Sequence, residues 1–207
     1  MNSSQQNQQN NLVPSDELVH YVGGGDFRAI GNEFLNYFIN LGQLQPNESV
    51  LDVGSGSGRM AVPLTKYLSE NGSYTGFDLY PEGIAWSKDN ISSNFPNFQF
   101  DHIDIYNQYY NPKGMYKASQ FKFPYPDQAF DFVFLTSVFT HLLPDDMENY
   151  LSEIARVIKN SGRCFITLFL LNHESLSPHL TSQSTLPFIY DKGDFSLYNE
   201  NNPEFAV

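Results

Sequence analysis

The sequence of 207 residues has one cysteine, one tryptophan and few basic residues. The single cysteine, Cys164, excludes an internal disulfide, and its position inside an apolar run predicts a small core residue. Lys and Arg number 11 against 23 Asp and Glu, and the resulting formal charge of −12 disfavours nucleic acid as a partner. We therefore expect a protein of a reducing compartment that binds no nucleic acid.

Long apolar runs are also missing. No stretch approaches the roughly 18 apolar residues of a membrane span, and the opening MNSSQQNQQNN has neither the basic nor the apolar region of a signal peptide. These absences predict a cytoplasmic protein with no membrane partner. No His, Cys and carboxylate residues stand at metal-ligand spacing, and no Gly-x-Ser-x-Gly elbow is present. We therefore expect neither a metal site nor serine-based acyl chemistry.

The sequence instead alternates short apolar runs with amphipathic stretches. Residues 2–11 are all Asn, Ser or Gln, a composition that is typical of disorder. We divide the chain into a disordered polar arm (1–11), an N-terminal helical segment (12–48), a main α/β domain (49–171) and an aromatic C-terminal part (172–207). Within the helical segment, apolar residues recur at helical spacing from Ala29 to Leu44.

Five apolar strands are predicted in the main domain. They are Ser49–Val53, Tyr74–Leu79, Phe98–Asp104, Phe130–Ser137 and Arg163–Leu171, the last after a turn at Asn160-Ser161-Gly162. Helices are predicted between them at Arg59–Ser69, Pro81–Ser93 and Pro144–Ile158. Strands that are apolar throughout and alternate with helices favour a parallel sheet that is covered on both faces. The predicted fold class is therefore α/β, with a Rossmann-like, doubly wound parallel sheet.

The stretch LDVGSGSGRM, residues 51–60, lies where the first strand turns into a helix. In an open parallel sheet this is the ligand-binding edge. A phosphate loop requires Gly-Lys followed by Ser or Thr, whereas Gly58 is followed by Arg59 and Met60, so that interpretation fails. A dinucleotide fingerprint requires Gly or Ala where Arg59 stands, which makes an NAD-dependent oxidoreductase a less favoured alternative.

Three aspartates follow or end successive strands. Asp52, just before the first glycine, would repel a pyrophosphate but could accept hydrogen bonds from a cationic ammonium group. Asp78 stands where an acidic side chain binds the hydroxyls of an adenosine ribose. Asp104, or the backbone beside it, is placed to meet an adenine amine. Each aspartate alone could instead cap the following helix, but three in succession favour a shared ligand.

Four motifs carry a family resemblance. In chain order they are LDVGSGSGR, GFDLYPEGI, FDHIDI and FPYPDQAFDFVFLTSVFTHL. Together they resemble the class I S-adenosylmethionine-dependent methyltransferases, over a match from about Ser49 to Leu171. The resemblance implies the strand order 3-2-1-4-5 and S-adenosylmethionine as the cofactor, with S-adenosylhomocysteine as its product.

The resemblance also implies where the cofactor lies. The glycines would pass beneath its methionine part, Asp78 would bind the ribose, and Leu79 and Ile105 would lie against the adenine. Ser137 would border the methyl-donor pocket. The candidate cofactor-binding residues are Asp52, Gly54, Ser55, Gly56, Gly58, Asp78, Leu79, Asp104, Ile105, Thr136 and Ser137.

The sequence offers fewer candidate residues for the methyl acceptor than for the cofactor. Methyl transfer from a sulfonium needs mainly alignment and exclusion of water, but an oxygen nucleophile also needs a base. His141 is the candidate, although it could instead satisfy the start of the next helix. The long aromatic segment Tyr106–Tyr125 is typical of a functional loop or of packing over the sheet, and Tyr21 is expected to close over the cofactor. We predict methyl transfer to a small-molecule acceptor at oxygen.

The C-terminal part departs from the family pattern, which continues with a helix and an antiparallel strand pair. We expect this pair to be missing, Glu204–Val207 to begin a strand that is cut off, and the chain to be shortened or completed by a partner. The fifth strand would then be an unprotected edge, which favours a homo-oligomer or a complementing C-terminal partner. The alternative function is a non-catalytic cofactor-binding or interaction protein with an incomplete pocket.

Overall fold

The computed structural model describes residues 12–170 and 187–206. In chain order its strands are β1 (Ser49–Val53), β2 (Ser73–Asp78), β3 (Phe98–His102), β4 (Ile105–Tyr106), β5 (Tyr116–Lys117), β6 (Phe130–Leu135), β7 (Ile158–Ile166), β8 (Tyr190–Asp191) and β9 (Ser196–Leu197). Five of them form one parallel sheet in the order β3-β2-β1-β6-β7. This arrangement confirms the predicted fold class and strand order.

Five α-helices accompany the strands in the described ranges. They are α1 (Asp16–Tyr21), α2 (Phe27–Asn40), α3 (Ala61–Tyr67), α4 (Pro81–Ser87) and α5 (Pro144–Val157). Helix α2 begins before the predicted Ala29 because the Asp26 carboxylate caps it, accepting hydrogen bonds from the N–H groups of Arg28 and Ala29 at 3.0 and 2.9 Å. The helix predicted to reach Ser93 changes to a π-helical turn over Lys88–Ser92. No helix in the described ranges has the length and apolar character to cross a membrane.

The core consists of two layers, one on each face of the sheet. Side chains alternate along a strand, so Phe132 and Phe134 of β6 pack towards α2 and α3, whereas Val133 and Leu135 pack towards α5. Both layers are rich in fully buried aromatic side chains. Helices on both faces therefore bury most side chains of the central strands β1 and β6, which leaves the carboxyl edge of the sheet open to a ligand.

The edge strand β7 corrects two expectations. It begins at Ile158 and ends at Ile166, so the predicted turn Asn160-Ser161-Gly162 lies inside the strand. The pairing with β6 passes from Phe130–Ile158 to Phe132–Arg163, so the register shifts at this point. The chain folds back here, since a Cβ atom at Gly162 would lie 2.5 Å from Ile158 Cγ1. Cys164 is exposed and not a core residue, because no side chain of this edge strand is fully covered.

The structure of residues 187–206 differs from the predicted C-terminal part in two ways. Residues 187–206 contain a short antiparallel pair, β8 with β9, that the sequence did not indicate and that is separate from the main sheet. Pro203–Phe205 forms a 3₁₀ turn and not the start of a strand. The polar arm 1–11, residues 171–186 and Val207 lie outside the described residues.

Phe38 tests the aromatic packing of the core. It is fully buried on α2, and its ring centroid lies 4.3 Å from that of Phe134 and 5.4 Å from that of Phe165. Phe38→Ala should lower the free energy of unfolding by about 3–5 kcal/mol, because the surrounding side chains relax only partly into the cavity that the ring leaves. Urea denaturation measures the change. Leu41→Ala, nearby and 69% exposed, is the control and should change stability by less than about 0.5 kcal/mol; equal losses would contradict the packing.

Candidate active site

A cavity of about 690 Å³ lies at the carboxyl edge of the sheet. We divide its lining into two parts. The glycine end comprises Gly54, Ser55, Gly56, Asp78, Leu79 and Ile105. The aromatic end comprises Tyr106, Tyr109, Tyr110, His141, Tyr150 and Phe205. A cavity of this position and size is typical of a site for a nucleoside-containing ligand and a second, smaller molecule.

The glycine loop between β1 and α3 forms the floor of the glycine end. Gly54, Gly56 and Gly58 have φ angles of +84°, +54° and +76°, which residues other than glycine rarely adopt. Space is also limiting, because a Cβ atom at Gly54 would lie 2.3 Å from Val138 Cγ2 and one at Gly56 would lie 2.4 Å from Val22 Cγ1. The loop can therefore follow this path only with glycine, and its backbone lines the cavity directly.

Asp78 joins the glycine loop to the end of β2. Its Oδ2 accepts a hydrogen bond from the Gly56 N–H at 2.7 Å, and its Oδ1 accepts one from the Tyr80 N–H at 2.8 Å. Burial raises the pKa of the Asp78 carboxyl, and these backbone hydrogen bonds oppose the rise. The carboxyl lines the cavity and has unused lone pairs for further hydrogen bonds.

Asp52 lies beneath the loop and outside the cavity lining. It is fully buried, its Oδ2 accepts a hydrogen bond from the Tyr74 hydroxyl at 2.5 Å, and its Oδ1 has no partner in the described part of the chain. Burial raises the pKa of Asp52 to about 8, against the effect of the Tyr74 hydrogen bond. Asp52 is therefore largely protonated at neutral pH, and its predicted contact with an ammonium group stays a prediction.

Two more predicted cofactor residues lie outside the lining. Gly58 faces the interior, where a Cβ atom would lie 2.8 Å from Ile91 Cδ1. The Asp104 carboxylate accepts a hydrogen bond from Asn111 Nδ2 at 2.9 Å, while the next residue, Ile105, does line the cavity. The predicted residues that the structure brings together along the cavity are Gly54, Ser55, Gly56, Asp78, Leu79, Ile105, Thr136, Ser137 and His141.

The N-terminal segment covers the glycine end. Tyr21 lines the cavity and stacks on Tyr80, with ring centroids 3.4 Å apart and an angle of 13° between the planes. Arg59 Nη2 donates a hydrogen bond to the Gly24 carbonyl at 2.7 Å, and the Ser57 hydroxyl donates one to the Leu18 carbonyl at 3.2 Å. Ser57 and Arg59 therefore hold this segment over the cavity.

His141 is the ionisable group at the centre of the aromatic end. It follows β6 in the 3₁₀ turn Phe139–His141. Its Nδ1 lies 3.0 Å from the Glu204 carbonyl oxygen, and its Nε2 lies 3.3 Å from the Tyr110 hydroxyl. Burial lowers the pKa of His141 below its usual 6.5, against the effect of the Glu204 hydrogen bond. The imidazole is therefore neutral at pH 7.

Sequence reasoning missed several residues of the aromatic end. Asp146 and Tyr150 of α5 line the cavity, as do Glu204 and Phe205 from the C-terminal 3₁₀ turn. Burial raises the pKa of both the Asp146 and the Glu204 carboxyl. Asp146 stands in LLPDD directly after His141, which is a signal that could have found it, whereas nothing local marks Glu204. Among described residues, Arg59 is the one Lys or Arg in the lining.

Comparison with known proteins identifies the family. The methyltransferase-domain family matches residues 51–166, which is more than half of the chain and includes the glycine loop, Asp78 and His141. The chain belongs to this family. The match confirms the resemblance to class I S-adenosylmethionine-dependent methyltransferases, and it supports S-adenosylmethionine as the cofactor of this methyltransferase-domain protein.

Relatives of this methyltransferase-domain protein include two enzymes named ubiquinone/menaquinone biosynthesis C-methyltransferase UbiE. That of Xanthomonas oryzae pv. oryzae (strain MAFF 311018) is 25% identical over 133 residues, which cover 64% of this chain and 47% of the relative. That of Rickettsia bellii (strain OSU 85-389) is 31% identical over 166 residues, which cover 78% of this chain and 58% of the relative. The chain thus spans about half the length of the curated relatives it matches.

A solved structure agrees with the fold. The PH0226 protein from Pyrococcus horikoshii OT3 superposes with a TM-score of 0.53 at 20% identity, over 70% of this chain and 60% of that protein. At this identity the likeness supports the sheet topology and nothing finer. It therefore agrees with the strand order found for this methyltransferase-domain protein.

Asp52 predicts a pH dependence of stability. Its carboxyl titrates near 3.8 when unfolded and near 8 when folded, so between these values the folded state keeps a proton that the unfolded chain has lost. The free energy of unfolding should therefore fall as pH rises through this window, and Asp52→Asn should reduce that fall. Urea denaturation at pH 5 and pH 8 measures it. Asp16→Asn, on exposed α1, is the control; identical slopes for Asp52→Asn and wild type would contradict the buried neutral carboxyl.

Proposed function

We propose that the chain binds S-adenosylmethionine at the glycine end of the cavity and transfers its methyl group to the oxygen of a small-molecule acceptor bound at the aromatic end. The observation that carries the proposal is the joining of the glycine loop to Asp78 at the carboxyl edge of the sheet, inside a chain of the methyltransferase-domain family. The expected product is S-adenosylhomocysteine.

The residues of the glycine end fit this cofactor. The backbone of Gly54 to Gly56 offers a surface without side chains on which the methionine part can lie, and Asp78 offers carboxylate oxygens for ribose hydroxyls. Leu79 and Ile105 offer apolar surface for the adenine ring. The hydroxyls of Tyr21 and Ser55 are buried without a hydrogen-bond partner in the ranges the structure describes, so both are free for a polar ligand.

The contribution of the chain to the reaction is alignment, exclusion of water and acceptance of a proton. When bound, the cofactor supplies an electrophilic methyl group on a sulfonium. His141 Nε2 would accept the proton of the acceptor oxygen as that oxygen takes the methyl group, and S-adenosylhomocysteine would be left. Tyr21 and the segment that Arg59 holds would exclude water from the cavity on one side.

Carbon is the competing acceptor atom. The two UbiE relatives are named C-methyltransferases, which favours a carbon nucleophile activated by loss of a proton to the same His141. Among the described residues, Arg59 is the one Lys or Arg in the lining, and its guanidinium already bonds the Gly24 carbonyl. This lack of a free cation in the described lining disfavours an anionic acceptor in either case. NMR spectra of the product formed from a ¹³C-methyl donor distinguish an oxygen-bound from a carbon-bound methyl group.

The first test is cofactor binding by calorimetry. Asp78→Asn should weaken the binding of S-adenosylhomocysteine by at least about tenfold, because a hydrogen bond to a charged group contributes about 1.5–3 kcal/mol. Asp89→Asn is the matched control, since this carboxylate is exposed and lies outside the cavity lining, and it should change the affinity by less than about twofold.

Two outcomes would overturn the proposal. One is a folded wild-type protein that binds NAD and not S-adenosylhomocysteine. The other is an Asp78→Asn variant that stays folded, by circular dichroism, and binds S-adenosylhomocysteine as tightly as the wild type.

A further inference from the structure

We infer that Tyr110 is a positioning residue for His141, and that the Glu204 carbonyl fixes the tautomer of the imidazole so that Nε2 is the basic atom facing the acceptor. The inference rests on the proposed function for its catalytic meaning. Its geometry is independent of any ligand, because it concerns three groups of this chain that meet at the aromatic end.

The Glu204 carbonyl decides which ring nitrogen carries the proton. A carbonyl oxygen can only accept a hydrogen bond, so His141 Nδ1, at 3.0 Å, must be the donor. In a neutral imidazole the other nitrogen then holds a lone pair. Nε2 is therefore the one basic atom of this ring at neutral pH.

The Tyr110 hydroxyl occupies that lone pair. It lies 3.3 Å from Nε2, and because Nε2 has no proton the hydroxyl must be the donor. The two rings also meet edge to face, with centroids 5.1 Å apart and an angle of 87° between the planes. An acceptor hydroxyl that displaces Tyr110 from Nε2 would arrive at the basic atom with the imidazole already oriented.

Tyr110 and His141 form a neutral hydrogen-bonded pair at neutral pH. Burial raises the pKa of Tyr110 to about 12, so it stays a neutral donor at neutral pH. The other titratable groups that line this end of the cavity or contact Tyr110 are Tyr21, Tyr106, Tyr109, Asp146, Tyr150 and the Glu204 carboxyl. The hydrogen bond that Tyr110 donates to Nε2 orients the neutral imidazole, and the same hydroxyl can accept from Nε2 once that atom has gained a proton.

The test is NMR of histidine side chains in the full chain, without cofactor or acceptor. The protein labelled with ¹⁵N at its five histidines gives both ring nitrogens of each, and His141→Gln assigns the signals of His141. We expect a proton on Nδ1 and none on Nε2 at pH 7.5, and a pKa below 6.5. Tyr110→Phe should shift the ¹⁵N resonance of Nε2 because the hydrogen bond to its lone pair is lost, whereas Tyr116→Phe, which is exposed and outside the cavity lining, should leave that resonance unchanged.

A proton on Nε2 in the neutral ring, or an Nε2 ¹⁵N resonance that is equal in wild type and Tyr110→Phe, would overturn the inference. Calorimetry with S-adenosylhomocysteine on the same samples separates this result from the proposed function. Loss of cofactor binding by the wild type would overturn the function and leave the tautomer result standing. Normal binding with the wrong tautomer would overturn the inference alone.

Discussion

The hydrogen bonds of the Asp78 carboxylate are the interaction on which the glycine end depends. The carboxylate accepts from Gly56 in the β1 loop and from Tyr80 at the start of α4, so one side chain fixes two backbone segments that come from different strands. Backbone hydrogen bonds hold the start of the loop, since the N–H groups of Gly54 and Ser55 both donate to the Phe77 carbonyl, and Asp78 holds its middle. The same side chain lines the cavity. The group that shapes the site is thus also the group best placed to contact a ligand there.

Much of the fold could be predicted from the sequence because its signals are local. Strand β1 was predicted with its observed bounds, and the other strands of the main sheet are signalled by short apolar runs that a parallel sheet buries on both faces. Asp52, Gly54 and Asp78 could be placed at the carboxyl edge for the same reason, since the ends of parallel strands meet there. Whether a side chain faces the cavity or the core could not be read, and Asp52 turned out to be buried beside Tyr74.

The failures of prediction occur where the deciding contact is distant in sequence. Asn160-Ser161-Gly162 has the composition of a turn, yet it lies within the bounds of β7, at a shift of the register against β6. Cys164 stands in an apolar run, yet the run belongs to an edge strand whose side chains are only partly covered. Glu204 and Phe205 carry no pattern at all, because their place at the aromatic end is set by a contact with His141 across more than 60 residues. Local composition holds no information on such contacts.

The two ends of the cavity are therefore built by different physical means. The glycine end is built from residues that each follow a strand of the parallel sheet, so their meeting at the carboxyl edge follows from the topology. The aromatic end needs segments that meet only in the folded chain: the loop with Tyr110, the turn with His141 and the C-terminal residues with Glu204. The surroundings of His141 consequently depend on the C-terminal turn, because the Glu204 carbonyl that meets its Nδ1 comes from that turn. If His141 is the base that we propose, a chain could keep the glycine end and lose the base, so cofactor binding and methyl transfer would be separable properties of this architecture.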